Sequence, residues 1–537
     1  MAAACIDRCH LHKSIAFSGE KAVTSLLHAT NSIVTLLFVK KLEHKIDSAR
    51  VSVLEEMYTR YPKHRASGPV TCASADVGPA RAPPPTTRAP ALTSANPLPD
   101  LHGHLPVLDG IRGLAVLMVL LFHFVGQMQP TNGVELVIVG VTKYGILGVA
   151  LFFVLSGFLI TGLLYDARNS PHYFRNFFMR RFLRIFPLYY GVLALLFFVA
   201  PLIPLLRGPT LDYLVDRQAW AWLYGVNIYL ATHEEWSFSY LNHFWSLSVE
   251  EHFYLVWPLV VFLLARRPSA LIAACLSISM CAMLARVTGS LIGLSWWTTV
   301  VLTPFQLDGL ALGAFLAVAA RQPGGVNWLL RALPRVAAVA GGLVVLSFVW
   351  TRLVSRQELE LVTSVRSAVL VMLLGCLLVL VLVAPKKSAI ARFFCSRSMV
   401  FLGTYSYGLY VYHHFISYYL TTNRTELELA QWLGSHGAAV ALQATLGASV
   451  SLALAYLSYE LFEKRFLKLK RLFETDKEPA RPRPAVGGAA RWWPWRTAAG
   501  RAGHGSRELH VLSAGPLLVE QQVDALEGAS RKVRTRP

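Results

Sequence analysis

Apolar runs of about 20 residues recur through the middle of this chain, and short polar loops separate them. A run of that length lets an α-helix cross the hydrocarbon core of a bilayer. Lipid offers backbone amides no partners, so only helices and closed barrels span membranes, and a barrel would show short segments of alternating polarity instead. The pattern therefore predicts an all-α, polytopic transmembrane helical bundle.

The composition agrees, because 54% of the 537 residues are hydrophobic and only 15% are charged. Mean hydropathy is +0.45. The segment AWAWLYGVNIYL, residues 219–230, is too short to span and is expected to lie in the interface or to re-enter the membrane. We predict ten spans, at residues 107–126, 145–165, 187–206, 246–265, 269–287, 301–320, 334–351, 365–384, 400–420 and 438–461.

The formal net charge of +20 could indicate nucleic-acid binding. In a membrane protein, however, Lys and Arg collect on the cytoplasmic loops. Basic residues concentrate in the loops after predicted spans 2, 4, 6 and 8 and in the segment after span 10. The opposite loops hold only Lys143, Arg207, Arg217, Arg352, Arg356 and Arg424. This asymmetry predicts that both termini are cytoplasmic, that the bilayer is the main partner of the chain, and that nucleic acid is not one.

Three regions are predicted along the chain. Residues 1–100 form an N-terminal extension, partly helical and then a Pro/Ala-rich linker. Residues 101–472 form the membrane domain, and residues 473–537 form a disordered basic tail. No signal peptide is predicted, because the N-terminus lacks a basic start, a long apolar run and a small-residue cleavage site.

The seven cysteines suggest neither a disulfide framework nor a metal site. Several lie within apolar spans, where a small buried side chain is the ordinary interpretation. Cys5, Cys9, His10 and His12 are close in sequence, but their spacing fits no standard metal site. We therefore predict no metal and no permanently bound cofactor.

The first predicted span, VLDGIRGLAVLMVLLFHFVG, carries three ionisable residues, Asp109, Arg112 and His123. Arg112 and His123 are eleven residues apart, so in a helix they project from nearly the same face, about 16 Å apart. Asp109 lies within about 40° of that stripe. Ionisable groups rarely face lipid, so this face is expected to line an internal cavity. Alternatively, Asp109 and Arg112 only anchor the inner end of the helix.

Two later spans carry ionisable residues to the outer half of the membrane. HFWSLSVEEHFYLVWPL places Glu250 and Glu251 in the first turns of span 4, and FLGTYSYGLYVYHHFIS places His413 and His414 in span 9. From depth alone, we hypothesise that one of the carboxylates accepts a hydrogen bond from His123 and raises its basicity.

A cluster of arginines lies at the opposite, cytoplasmic level, in YFRNFFMRRFLRIFPLYY. Arg181 and Arg184 are three residues apart and share a helix face. Guanidinium groups suit phosphates, so the pair could hold a polyphosphorylated donor. The alternative is that these arginines only satisfy the positive-inside rule, which requires no particular spacing.

Six segments of the chain together resemble the acyltransferase-3 family of integral membrane O-acyltransferases, which includes bacterial O-antigen and exopolysaccharide acetylases. The resemblance covers residues 105–470. The segments are LDGIRGLAVLMVLLFHF, GVALFFVLSGFLI, RRFLRIFPLYY, HFWSLSVEEHFYLVWPL, FLGTYSYGLYVYHHF and LSYELFEKRFLKL, in this order.

The resemblance implies roles for particular residues. The Arg-x10-His motif of the family matches Arg112 and His123, and its Arg-x-x-Arg motif matches Arg181 and Arg184. His123 is then the general base and Glu250 or Glu251 orients it, while the three arginines hold the phosphates of the donor. The remaining matches, which we assign to substrate or donor binding together with Asp109, are Ser248 and His413.

The sequence departs from the family pattern at two positions. His252 stands where Gln is common, and Arg465 replaces the Pro of a late Ile-Glu-Lys-Pro pattern. Neither change removes a candidate catalytic group. Ser156, in FVLSGFL, lacks the first Gly of a nucleophile elbow, so Ser156 and Gly157 are interpreted as helix packing instead of a nucleophilic site.

The resemblance therefore implies a bacterial cytoplasmic-membrane enzyme. It would transfer an acyl group, expected to be acetyl, from acyl-coenzyme A to a hydroxyl of a cell-surface carbohydrate or glycolipid. The identity of the acceptor and the use of an acyl-enzyme intermediate stay open. A transporter or flippase is the main alternative, since intramembrane charges also fit transport, but the chain has no paired internal repeat.

Overall fold

A computed structural model describes residues 105–353 and 356–473. The predicted N-terminal extension, nearly all of the predicted tail, and the Cys5–His12 group lie outside the described residues. All regular structure within them is helical. The α-helices are α1 (Pro106–Leu121), α2 (Gly133–Thr142), α3 (Leu147–Asp166), α4 (Tyr173–Ala194), α5 (Pro209–Asp216), α6 (Gln218–Trp222), α7 (Val226–His233), α8 (Phe244–Leu264), α9 (Pro268–Leu291), α10 (Trp296–Val301), α11 (Thr303–Arg321), α12 (Gly325–Trp350), α13 (Arg356–Val383), α14 (Ala389–Phe394), α15 (Arg397–Thr422), α16 (Thr425–Leu433), α17 (His436–Ser458) and α18 (Lys464–Lys468).

Within the described part of the chain, nine helical stretches are long and apolar enough to cross a membrane. Each overlaps one predicted span, so the prediction of a polytopic helical membrane protein is confirmed. The stretches are Pro106–Gly126, Gly133–Asp166, Tyr173–Leu202, Phe244–Leu264, Pro268–Leu291, Trp296–Arg321, Gly325–Trp350, Leu359–Val383 and His436–Phe473.

The remaining predicted span, at 400–420, corresponds to α15. With 26 residues, α15 is long enough to cross a bilayer, but it is more polar than the nine stretches. Its buried residues include Ser406, His413, His414 and Ser417, all turned into the protein. The polarity of α15 therefore belongs to the interior of the bundle. The cytoplasmic position of the termini stays a prediction.

Helix α4 begins earlier than the predicted third span at 187–206. It starts at Tyr173 and includes the whole arginine-rich segment, so Arg181 and Arg184 lie on a membrane helix and not in a loop before it. Apolar residues alternate with the arginines and pack inward, including Phe177 and Leu183, which are buried. The arginines are thereby carried into the bundle.

Glycines allow the helices that carry the site to approach closely. A Cβ at Gly403 of α15 would lie 1.9 Å from the carbonyl oxygen of Asp109 in α1, and a Cβ at Gly157 of α3 would lie 1.9 Å from that of Leu310 in α11. Small residues commonly form such contacts between membrane helices. The packing role expected for Gly157 is therefore confirmed, and α1, α3, α11 and α15 form the centre of the bundle.

The short segment at 219–230 forms no span. It is divided into α6 and α7 by the turn around Gly225, and Val226, Tyr229 and Leu230 are buried inside the bundle. The hydroxyl of Tyr189 in α4 donates a 2.7 Å hydrogen bond to the carbonyl oxygen of Ala221, which also accepts one from the Tyr224 amide. Its second helix, α7, packs against α8.

Candidate active site

A cavity lies between α1, α3, α4, α8 and α15. Its volume is about 760 Å³, including the space at its opening to solvent. One part of its wall is apolar, with Val149, Phe152, Phe153, Ile185 and Leu247. The ionisable groups of its wall are Arg112, Arg181, Arg184, Glu250 and Glu251.

The arginines come from two helices that are distant in sequence. Arg112 of α1 donates a 2.7 Å hydrogen bond from Nη1 to Oδ1 of Asp109, one turn earlier. Asp109 itself is not part of the cavity wall. The structure therefore fits both interpretations of Asp109 in part: it pairs with Arg112, and through that pair it supports a cavity residue.

The two arginines of α4 face the same cavity as Arg112. The guanidinium carbon of Arg181 lies 5.1 Å from the centre of the Tyr254 ring, which is within the range of a cation–π contact. Arg175 on the same helix is exposed and does not line the cavity. The positive-inside rule alone does not require that Arg181 and Arg184 share the cavity-facing side of the helix.

Glu250 interacts with the arginine side of the cavity. Its Oε1 accepts a 2.9 Å hydrogen bond from Ser156 Oγ, and its Oε2 accepts one of 2.9 Å from the Tyr254 hydroxyl. Oε1 of Glu251 is buried and has no hydrogen-bond partner among the described residues. Neither carboxylate hydrogen-bonds to His123, so the pairing that we hypothesised from depth alone is not present.

The predicted depth of Glu250 was wrong, and the structure gives the reason. The estimate treated the start of span 4 as a point at the membrane surface, but α8 begins inside the protein. His243 and Phe244 are 4% and 0% exposed, and the turn Ser239–Leu241 precedes them within the bundle. Glu250 is seven residues further along, about 10 Å deeper. It therefore lies at the level of the arginines, and His243 lies at the level of His123.

His123 lies in a cluster of four buried histidines, which we call the histidine cluster: His123, His243, His413 and His414. It is part of a single π-helical turn, Phe122–Gly126, that follows α1. Such turns are rare in proteins, but those that occur often lie at functional sites. Nδ1 of His123 is 3.0 Å from the Val119 carbonyl oxygen, and Nε2 of His413 is 3.3 Å from the same Nδ1.

The remaining contacts of the histidine cluster come from α8 and α15. The His123 ring centre is 4.8 Å from that of His413 and 5.0 Å from that of His414. His243 lies 4.7 Å from His414 by the same measure, and its Nε2 is 3.1 Å from the Val411 carbonyl oxygen. We did not predict His243. The signal was available, since His243 precedes Glu250 by seven residues and so shares its helix face.

A hydrogen-bonded pair separates the histidine cluster from the cavity. Ser246 Oγ and the Tyr410 hydroxyl are hydrogen-bonded to each other, and both line the cavity. The Tyr410 hydroxyl also donates a 3.1 Å bond to the carbonyl oxygen of His243. His123 is not part of the cavity wall. The Tyr410 ring also contacts the rings of His243 and His413, so the Ser246–Tyr410 pair lies between the cavity and these histidines.

Ser248 and His413 lie off the cavity, as Asp109 and His123 do. Ser248 is fully buried, and its Oγ donates a 3.0 Å hydrogen bond to the Phe244 carbonyl oxygen within its own helix. His413 belongs to the histidine cluster. His252, the departure from the family pattern, has Nδ1 2.8 Å from Thr303 Oγ1 on α11 and also lies off the cavity wall.

Residues 105–460 match the acyltransferase-3 family, described as "Acyltransferase domain". The chain belongs to this family. It is therefore a multi-pass cell membrane protein, and its family membership favours the enzymatic interpretation over transport.

Two similar proteins carry more specific names. The chain is 27% identical over 354 residues to peptidoglycan O-acetyltransferase OatA of Listeria monocytogenes serovar 1/2a, a match that covers 61% of this chain and 51% of that protein. It is 33% identical over 174 residues to O-acetyltransferase OatA of Staphylococcus aureus, covering 30% of this chain and 26% of that one. The chain thus spans about half the length, or less, of these relatives. No solved structure matches it.

Proposed function

We propose that this acyltransferase-3 protein transfers an acyl group, acetyl in the first instance, from acyl-coenzyme A to a hydroxyl of a cell-wall carbohydrate. The names of the relatives support acetyl as the group and peptidoglycan as the acceptor. The observation that carries the proposal is the convergence of Arg112, Arg181 and Arg184 on one cavity whose other wall is apolar.

The cavity suits the donor because coenzyme A combines phosphates with a long, weakly polar arm. Guanidinium forks bind phosphate oxygens through two parallel hydrogen bonds, and they do so more strongly where water is excluded. The aromatic and aliphatic side chains of α3, including Phe152 and Phe153, would contact the arm and the acyl chain. Under the predicted orientation the arginines lie on the cytoplasmic side, where acyl-coenzyme A is available.

Glu250 takes a different role from the one first hypothesised. It accepts hydrogen bonds from Ser156 and Tyr254, and the Tyr254 ring lies against Arg181. Glu250 is therefore a positioning residue for the donor side of the site.

His123 is the residue best suited to activate the acceptor. A sugar hydroxyl has a high pKa and requires a base as it attacks. With Nδ1–H of His123 directed at the Val119 carbonyl oxygen, Nε2 retains its lone pair. In direct transfer, Nε2 takes the hydroxyl proton while the oxygen bonds to the thioester carbon. The carbon–sulfur bond breaks, and the thiolate of coenzyme A leaves and takes up a proton.

The separation between donor and base adds one step. The Ser246–Tyr410 hydrogen bond lies between the cavity and His123, so this pair must part before the thioester meets the activated hydroxyl. Its rearrangement would keep the donor away from water until the acceptor is in place, a gating role that mobile active-site elements often have.

The donor site is tested by equilibrium binding of radiolabelled acetyl-coenzyme A to the full-length protein in detergent. A hydrogen bond to a charged group contributes about 1.5–3 kcal/mol. Replacing Arg181 and Arg184 together with Ala should therefore weaken binding at least about 10- to 100-fold. Arg175→Ala is the control, since it removes one positive charge from an exposed position on the same helix and should bind normally. Equal affinities for wild type, the double variant and Arg175→Ala would mean that Arg181 and Arg184 serve only to orient the chain in the membrane.

A further inference from the structure

The histidine cluster has a feature that acid–base chemistry by His123 does not require. Four imidazoles from α8, α15 and the turn after α1 are packed together, and each is less than 9% exposed. Two of their ring nitrogens, Nδ1 of His243 and Nε2 of His414, are buried without a hydrogen-bond partner among the described residues. A buried polar atom without a partner costs about 1–3 kcal/mol, so two in one cluster require an explanation.

Each histidine of the cluster can hold a proton on one nitrogen and present a lone pair from the other. His123, His413 and His243 direct one nitrogen at a backbone carbonyl oxygen, at 3.0 Å (Val119), 2.7 Å (Tyr410) and 3.1 Å (Val411). Nδ1 of His414 is 3.4 Å from Ser417 Oγ. Metal-binding histidines are held in the same way, by a hydrogen bond from the nitrogen that does not bind the ion.

We propose that the histidine cluster is a binding site for a divalent transition-metal ion of the zinc class. One ring nitrogen each from His123, His413 and His414 lies within 4.8 Å of the other two. The ring of His243 packs against the rings of His413 and His414. Three histidines are a common zinc ligand set, and imidazole also suits copper and nickel. The set comes from distant parts of the chain, so no sequence spacing could reveal it.

Binding requires a limited rearrangement. Zinc–nitrogen bonds of about 2.0–2.1 Å place tetrahedral ligands about 3.3 Å apart, so the widest pair must close by about 1.5 Å. His413 must also give up the 3.3 Å contact of its Nε2 with Nδ1 of His123. Both changes require rotation of the histidine side chains.

Occupancy has a consequence that rests on the proposed function. An ion bound at Nε2 of His123 takes the lone pair that a general base needs, so metal binding and proton removal by His123 exclude each other. The site would then act as an inhibitory zinc site.

The test uses the full-length protein, purified without a histidine tag and freed of metal. Zn²⁺ binding is measured by equilibrium dialysis with metal analysis, and Co²⁺ is added separately to record its visible spectrum. We expect wild type to bind one equivalent of Zn²⁺ more than His414→Ala, and we expect intense absorption typical of tetrahedral Co²⁺. His252→Gln is the control, because it removes a half-buried histidine outside the cluster.

Three results overturn the site: no bound Zn²⁺ in wild type, equal binding by wild type and His414→Ala, or loss of binding in the His252→Gln control alone. If His414→Ala does not fold, the Co²⁺ spectrum of wild type decides, and weak absorption of octahedral type contradicts the proposal. The rate of acyl transfer is then compared with and without Zn²⁺. Zinc binding with an unchanged rate would leave the site in place and contradict the base role of His123, so the two failures are distinguishable.

Discussion

The contact between Gly403 and Asp109 links the packing of the bundle to its site. Gly403 on α15 allows that helix to reach the carbonyl oxygen of Asp109, and the side chain of Asp109 pairs with Arg112. Replacing Gly403 with Ala puts a methyl group 1.9 Å from that oxygen, far inside the normal contact distance of about 3.4 Å or more. Since the obstacle is backbone, a side-chain rotation cannot relieve the clash, and the two helices must separate.

Overpacking of this kind costs typically 1–3 kcal/mol. Gly403→Ala should therefore lower the folded-to-unfolded ratio about 5- to 150-fold, and it should weaken donor binding because Arg112 moves with α1. The measurement is unfolding of the purified protein in detergent, by heat or denaturant, followed by acetyl-coenzyme A binding. Gly341→Ala in α12 is the control. A Cβ there meets nothing within 4 Å, so the change should be neutral or stabilising by up to about 1 kcal/mol. Equal stability of Gly403→Ala and Gly341→Ala would refute the close α1–α15 contact.

Two serines give further predictions. Ser156→Ala removes one hydrogen bond to Glu250 and should reduce acyl transfer by no more than about 100-fold, since the bond is charge-assisted and contributes about 1.5–3 kcal/mol; complete loss of transfer, with normal donor binding, would instead indicate a nucleophile. Ser248→Ala should leave the dissociation constant of acetyl-coenzyme A within about twofold, because Ser248 bonds only within α8 and lies off the cavity; a tenfold weakening would restore the donor-binding role assigned from the family motif.

The sequence predicted the helical class and the approximate positions of the nine membrane-spanning stretches, because the length of an apolar run is set by the thickness of the bilayer. It missed the early start of α4 at Tyr173. It also identified Arg112, Arg181 and Arg184 as candidates for one function, and the structure brings these three to one cavity. The helical period accounts only for Arg181 and Arg184, which lie three residues apart on one helix. Arg112 was grouped with them by the family resemblance, because no local pattern relates residues of two different helices.

The depth of a side chain in the membrane was harder to predict than the helix face from which it projects. The estimate for Glu250 assumed that each span starts at the membrane surface, whereas α8 starts within the bundle, beneath the buried turn at Ser239–Leu241. Which carboxylate meets which base depends on that offset, and the offset is set by tertiary packing. The seven-residue spacing to Glu250 places His243 on the same helix face, but its contacts with α15 depend on tertiary packing, which no local pattern encodes.

The base role of His123 is the central claim, and acetylation of the cell wall tests it most directly. In a strain that lacks this protein, mass spectrometry of isolated cell-wall carbohydrate would compare complementation by wild type, His123→Ala and His252→Gln, with equal amounts of each protein in the membrane. General-base catalysis contributes about 10²- to 10⁴-fold, so His123→Ala should leave acetylation at the level of the deletion strain, and His252→Gln should restore it. Acetylation by His123→Ala at the wild-type level would contradict the account.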